Sequence, residues 1–430
     1  MFDPRAEAMS ADERSALQEQ RLRALVGRLL AVDGVQGRRL RDAGVDSGLS
    51  VSLSDLPSLP TTTKQDLWDH YPFGLLAVSR EDVVAVHGSS GTGGRPTLVG
   101  YTRADLDLWG DVVARSLGCA GAGKGTVVHN AYGYGLFTGG VGFHLGGVRM
   151  GATVVPMSGG MTQRQLTLIA DLRPSVLTCT PSYAVTLGEA AAASGTDVSS
   201  LRAGIFGAEP WSESMRAQIE SVLPLKALDV YGLSEVIGPG VATECIEAQS
   251  GLHVNEDHFI VECVDPSTGA PVPDGQPGEL VFTTPTKEAL PLLRYRSGDI
   301  ASLSRGTCAC GRTLVRMSKV LGRRDDMLVI QGVNVYPSEV ESVLLAHDGL
   351  APHYQLVVDR RAPVVELLVC CEAASNAETH REAVAAALHE RLGLRADVRV
   401  LGPGTIPRQE VGKAVRVVTW TDGAAPVPGL

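Results

Sequence analysis

Apolar and polar positions change rhythm three times along the chain. From about residue 100 to 230, short β-rich runs alternate with stretches of helical spacing. The runs are Thr126–Val128, Ala152–Val155, Val176–Thr178 and Ala203–Phe206. Alternation of this kind predicts an α/β layered unit with a largely parallel sheet. Upstream, residues 1–60 read as helices and loops. The run Asp82–His87 reads as a buried strand that feeds the small-residue loop Gly88–Pro96. Between about 251 and 304 the pattern becomes one of strands. Phe259–Val264 and Gly278–Thr284 are expected to be antiparallel, around the turn Pro273–Gly275. A third pattern starts near 325. It predicts a helix over Pro337–His347, strands over 354–358 and 364–369, an amphipathic helix over Glu378–Leu392 and a strand over 396–400. That order suggests a small α+β domain. Ser338, with Glu341 three residues on, is expected to form a capping box. The charged segment Gly322–Asp326 marks the boundary and divides the chain into residues 1–324 and 325–430.

Charge and composition narrow the function classes. The 430 residues hold 38 Lys and Arg against 48 Asp and Glu, a net charge of −10. This balance argues against a dedicated nucleic-acid binder but leaves room for one local basic pocket. No apolar run is long enough to span a membrane. The first thirty residues are charged and helix-like, unlike a secretory signal. A cytoplasmic location with reduced thiols is therefore expected for the eight cysteines. Glycine is abundant, at 49 residues. The glycines do not repeat at every third position, so they are expected to serve turns and close backbone approaches, as at a phosphate site.

Several short segments carry candidate chemistry. In Ser89–Pro96, converging N–H groups around Gly91 and Gly93, the hydroxyls of Ser89, Ser90 and Thr92, and the charge of Arg95 suit phosphate oxygens. The loop lacks the Gly-Lys-Ser/Thr ending of a Walker A motif, and a plain surface linker is the other reading. Tyr231–Glu235 places an aromatic ring, Gly232, the Ser234 hydroxyl and the Glu235 carboxylate just after an apolar run. The ring could stack on a base and the carboxylate could hold Mg²⁺. Asp299, ending Tyr295–Asp299, could accept two sugar hydroxyls or simply cap a turn. Lys413 follows Gly412 near the end of the chain. Cys245, His253, Cys308 and Cys310 form a Cys₃His set that could hold a structural zinc, with His258 as a rival to His253; four unrelated side chains are the alternative.

The order and spacing of these motifs resemble the adenylate-forming superfamily of acyl- and aryl-CoA synthetases, and within it the phenylacetate–coenzyme A ligase family. The resemblance runs from about Leu59 to Val418 and includes His129–Gly140, Gly251–His253 and Glu256–Phe259. It implies a large N-terminal domain of several subdomains and a small mobile C-terminal domain. ATP and an aromatic acid would form an acyl-adenylate, and coenzyme A would then take the acyl group. A carrier-protein pantetheine is the alternative acceptor. By this resemblance the 89–95 loop holds the β- and γ-phosphates, while Gly207, Ala208, Glu209, Pro210 and Tyr231 flank adenine. Glu235 ligates Mg²⁺. Asp299 and Arg323 hold the ribose, and Lys413 reaches the α-phosphate and the acid's carboxylate. Asp325 is the hinge. Tyr132, Phe137 and Gly207 line the acid pocket. Some members of the family are expected to carry zinc on such a Cys₃His set. A homodimer is expected, with neither nucleic acid nor membrane as partner. The glycines of 88–94, 133–147, 204–207, 232 and 238–240 are then expected where the backbone meets nucleotide or acid. Three departures stand out: Arg95 where Lys is usual, Gln331 where Arg is common, and a segment Arg408–Gly412 one residue longer than the usual form.

Overall fold

The computed structural model describes residues 1–32, 34–89, 96–324, 328–330, 333–361, 365–375, 377–393, 395–408 and 414–428. The β-rich runs of the middle of the chain do line up in parallel. Thr153–Val155, Val127–Asn130, Val176–Cys179, Ala203–Gly207 and Lys226–Leu233 are neighbours in that order. Four antiparallel strands, Gly238–Thr243, Leu252–Val254, Arg316–Met317 and Leu303–Ser304, complete a nine-stranded sheet. Successive residues of the parallel strands point to opposite faces. Val176, Ile205 and Leu228 join one core with the helices Arg103–Cys119 and Thr138–Met150. Leu177, Phe206 and Ala227 join another core with Thr162–Leu172, Pro181–Ser194 and Glu213–Val222. The sheet is thus covered on both faces, as parallel strands require.

The second sheet is antiparallel, as its spacing implied. Ile260–Val264, Gly278–Thr283, Tyr295–Ala301 and Gly322–Arg323 follow one another, with Asp299 opposite Arg323. The N-terminal helix Ala11–Ala31 starts at a Ser10/Glu13 capping box. It buries Leu22, Leu25, Val26 and Leu29, on one face at helical spacing, against Ile260 and Leu293.

The smaller part has a four-stranded sheet in the order Asp397–Leu401, Glu366–Ala373, Leu350–Asp359, Val417–Trp420. It packs against the helices Pro337–Leu345 and Ala377–Leu392. The last of these strands was absent from the sequence reading. Among the described residues no helix is long and apolar enough to cross a membrane.

Four expectations change. The strand Ala85–Gly88 pairs only with Leu98–Tyr101, as a hairpin beside the main sheet, and Val84 and Val86 are exposed. Ser338 caps nothing. Pro337 opens the helix, the Glu339 carboxylate accepts the Tyr336 N–H, and Ser338 Oγ donates to the Leu321 carbonyl. The helix over 377–392 is less amphipathic than expected, with only Val384 and Leu388 fully buried. Finally, the glycines of 138–150 sit inside a helix, where each costs about 1 kcal/mol relative to Ala. Packing accounts for them. A Cβ at Gly146 would lie 2.5 Å from Val113 Cγ1, and one at Gly142 would lie 2.6 Å from Pro239 and 2.8 Å from Trp109. Gly142 and Gly146 thus let two helices and a strand touch.

Candidate active site

The sharpest site geometry lies where the two sheets meet. Asp299 is buried at the centre of its strand and Arg323 is its cross-strand partner. The Asp299 carboxylate accepts the Tyr231 hydroxyl at 2.6 Å and lies 3.2 Å from the Arg323 guanidinium. Three residues named from separate motifs are therefore in one corner. The Tyr231 ring is stacked on Phe282, with centroids 5.8 Å apart. Burial, and then the Asp299 charge, push the Tyr231 phenol well above its ordinary value, so it stays a hydrogen-bond donor.

The turn after Tyr231 is held from behind. Gly232 must be glycine, since a Cβ there would lie 1.9 Å from the Gly238 carbonyl oxygen. The Tyr101 hydroxyl reaches the carbonyls of Ser234 at 3.3 Å and Ile237 at 3.0 Å. Ser234 Oγ lies 3.4 Å from Thr138 Oγ1. Lys287, fully buried, donates to the Glu235 carbonyl at 2.9 Å. Burial draws the Lys287 pKa down to about 8, against the raising fields of Asp105 and Glu235. Glu235 itself is buried, and no hydrogen bond to its carboxylate is formed by the described residues. A buried carboxylate on a fixed turn suits a hard cation such as Mg²⁺.

Gly207 ends a parallel strand, where a Cβ would lie 2.2 Å from the Val230 carbonyl oxygen. Ala208 follows at φ 72°, a left-handed conformation that turns the chain sharply. Glu209 then accepts both the N–H and the Oγ–H of Ser182 on one carboxylate oxygen. Pro210 is exposed beside it. Tyr132 is buried and stacked on Phe143 at 5.4 Å, and its hydroxyl faces the main chain of Gly207. Phe137 precedes the glycine-rich helix and is half exposed. Ser89 Oγ is buried and has no partner among the described residues. The predicted residues Ser90, Gly91, Thr92, Gly93, Arg95, Asp325 and Lys413, and the departure Gln331, lie outside the described residues.

A second cluster involves the cysteines. The ligating atoms of Cys245, His253, Cys308 and Cys310 all lie within 4.8 Å of one another. Cys245 Sγ and Cys308 Sγ are 3.7 Å apart, and Cys310 Sγ and His253 Nε2 are 3.6 Å apart. His258 does not belong to the cluster. One of its nitrogens meets Thr286 Oγ1 at 2.9 Å and the other meets Asp257 at 3.1 Å.

Sequence reasoning missed Lys287, Tyr101 and Ser182. Each acts through a main-chain group or a carboxylate far away in sequence, and no local spacing announces such a contact.

Comparison with known proteins agrees with this geometry. Residues 14–287 match the AMP-binding enzyme family and residues 332–419 match the AMP-binding enzyme C-terminal domain. The chain belongs to the AMP-binding enzyme family, whose members activate acids as adenylates. Within it, the chain belongs with the phenylacetate–coenzyme A ligases. It is 50% identical to the phenylacetate-coenzyme A ligase of Thermus thermophilus, over 97% of this chain and 99% of that protein. It is 49% identical to the one of Escherichia coli, over 97% of each. Among solved structures it resembles 2-hydroxyisobutyryl-CoA ligase in the postadenylation state, with a TM-score of 0.90 at 29% identity, covering 97% of this chain and 91% of that one. Against the same ligase in the thioesterification state, at 30% identity and the same coverage, the TM-score is 0.73. The domain arrangement is thus nearer to the postadenylation state. The protein is an AMP-forming acid–coenzyme A ligase: ATP and a carboxylic acid give an acyl-adenylate and pyrophosphate, and coenzyme A displaces AMP.

Proposed function

We propose that the acid is an aromatic one of the phenylacetate type. The observation that carries this reading is the buried Tyr132 ring, stacked on Phe143 with its hydroxyl toward the main chain of Gly207, where the resemblance puts the acid. The names of the full-length relatives support the same choice. A flat apolar wall suits an aryl group, and Phe137 at the surface suits the mouth of the pocket. A pyrophosphate-release panel of phenylacetate, substituted phenylacetates, benzoates and short aliphatic acids tests this. Phenylacetates should give the highest kcat/KM. A preference for an aliphatic acid would overturn the assignment.

In the first step the acid's carboxylate oxygen attacks the α-phosphorus of ATP and pyrophosphate leaves. Catalysis here is mostly positioning and charge neutralisation. In the reading we favour, Asp299 and Arg323 fix the ribose, Tyr231 and residues 207–210 bracket the base, and Ser89–Arg95 hold the outer phosphates. Gly232 and Ser234 shape the turn that presents Glu235, the residue that would hold Mg²⁺, and the cation neutralises phosphate charge when bound. Lys413 donates to the reacting carboxylate and α-phosphate. The chain then turns about Asp325, at the boundary between 1–324 and 325–430, and the thiolate of coenzyme A attacks the acyl carbon. The coenzyme A relatives favour this acceptor over a carrier protein. The family resemblance adds a cytoplasmic homodimer.

The cysteine cluster suits a structural zinc. For Zn–S bonds of about 2.3 Å, a tetrahedron has S···S edges of about 3.8 Å and, with Zn–N near 2.1 Å, S···N edges of about 3.6 Å. The two observed edges, 3.7 and 3.6 Å, have those lengths. Burial, with Arg312 and Arg316 nearby, holds the His253 pKa down to about 3, which keeps its imidazole neutral as a ligand must be. Protein purified without chelators should carry one zinc per chain by elemental analysis. Its removal should lower Tm while leaving the adenylation KM values little changed. A metal-free protein of unchanged Tm would remove the zinc.

A further inference from the structure

The seam between the large and small parts is crossed by few polar contacts, and one of them starts at the adenine turn. Glu209 divides its carboxylate. Oε1 is committed to the N–H and hydroxyl of Ser182, at the start of the helix Pro181–Ser194. Oε2 accepts the main-chain N–H of Ala414 at 2.9 Å. That nitrogen belongs to the peptide bond that joins residue 413 to residue 414. The sequence places no constraint of this kind, because 205 positions separate the two partners.

We propose that Glu209 is a positioning residue for the adenylation half-reaction: fixed by Ser182, it docks the main chain at Ala414, the residue that follows Lys413 in sequence. Three features support it. The carboxylate is rigid, since its first oxygen has two donors and Ala208 before it holds a left-handed turn. The acceptor is charged, and hydrogen bonds to ionised groups are about twice as strong as neutral ones. The bond also exists in an arrangement nearer to the postadenylation than to the thioesterification state. Arg416, two residues on, adds a fixed contact. Its guanidinium lies 4.3 Å from the centre of the Tyr354 ring, in the field of Glu209 and Glu341. When the small part turns for thioester formation, the Glu209–Ala414 bond must break, so this contact should matter to the first half-reaction and not to the second.

The inference rests on the assignment of Lys413 to the first half-reaction, and the experiment separates the two. Glu209→Gln keeps the size of the side chain. Its single carbonyl oxygen goes to the two donors of Ser182, which leaves an amide NH₂ facing the Ala414 N–H. The first half-reaction is read as acid-dependent pyrophosphate–ATP exchange. The second is read as thioester formation from preformed acyl-adenylate and coenzyme A. Glu209→Gln should slow exchange by on the order of ten-fold or more and slow the second half-reaction clearly less, through the adenine turn that serves both steps. Ser182→Ala, which removes only the hydroxyl, should show a weaker loss of the same kind, and stands in if Glu209→Gln does not fold. Equal losses in both half-reactions, or none, would overturn the inference. Lys413→Ala, run alongside, must slow exchange. If it does not, the parent assignment fails and this inference with it; if it does and Glu209→Gln does not, the inference alone fails.

Discussion

The interior of the large part and the seam with the small part use charged residues in opposite ways. Inside, the pairs are buried and doubly bonded. Arg115 grips Asp257 at 2.7 and 3.0 Å, Arg216 meets both oxygens of Glu244 at 2.9 Å, and Arg294 meets both oxygens of Glu262 at 2.9 and 3.0 Å. At the seam the contacts are single. Glu341 accepts the Ser212 N–H at 2.9 Å, Glu209 accepts the Ala414 N–H at 2.9 Å, and His353 lies 3.4 Å from Glu189. A buried bidentate pair cannot open without stranding a charge, at a cost of several kcal/mol. A single bond to a backbone N–H strands no charged partner when it opens, at a cost of about 1 kcal/mol. The difference teaches which part of the enzyme can move between two half-reactions and which must stay rigid.

The largest expected effect is catalytic and belongs to the moving side. Lys413→Ala should slow adenylation by about 10²–10⁴-fold and leave the urea midpoint nearly unchanged. Near-normal pyrophosphate exchange would dissolve its role. The next effect belongs to the rigid side and should show the reverse pattern. Arg115→Ala leaves Asp257 buried without its bidentate partner and should cost about 3–5 kcal/mol of stability. At temperatures where the variant stays folded, its two half-reactions should fall together; a selective loss of one would blur the distinction between interior and seam.

The smallest expected effect is a pH dependence of the interior. Burial lowers the pKa of His129, against the hydrogen bond its Nε2–H donates to the Gln165 side-chain oxygen, and lowers that of His258, against its bond to Asp257 and the Asp257 charge. The unfolded chain then takes up these protons first, near the ordinary value of about 6.5. Stability should therefore be level above that pH and fall below it, by up to roughly 1.4 kcal/mol per pH unit for each histidine. Urea midpoints between pH 7.5 and 5 check this, and a midpoint that rises on acidification would contradict it.

Much of this arrangement is legible in the sequence because its cause is local. The parallel strands announce themselves as short apolar runs between helical stretches, and the second sheet as strands around Pro273–Gly275. Tyr231, Asp299 and Arg323 were named from separate motifs and meet within 3.2 Å. What stayed hidden has distant causes. Lys287 looks like a loop lysine until its ammonium is found under the Glu235 carbonyl. Ser338 and Glu341 have the spacing of a cap, but Glu341 turns to Tyr354 and, across the seam, to Ser212. Gly142 and Gly146 have a packing role that no local spacing announces, since they accommodate Val113, Trp109 and Pro239.

The central claim is that this chain forms a thioester by way of an adenylate, in two steps at one site. The most direct measurement mixes the protein with ATP, Mg²⁺ and phenylacetate and follows the products by mass spectrometry before and after coenzyme A is added. The account predicts enzyme-bound phenylacetyl-adenylate and pyrophosphate first. Coenzyme A should then convert the adenylate to phenylacetyl-CoA with one AMP per thioester. Release of ADP and phosphate, or an adenylate that coenzyme A leaves untouched, would contradict it.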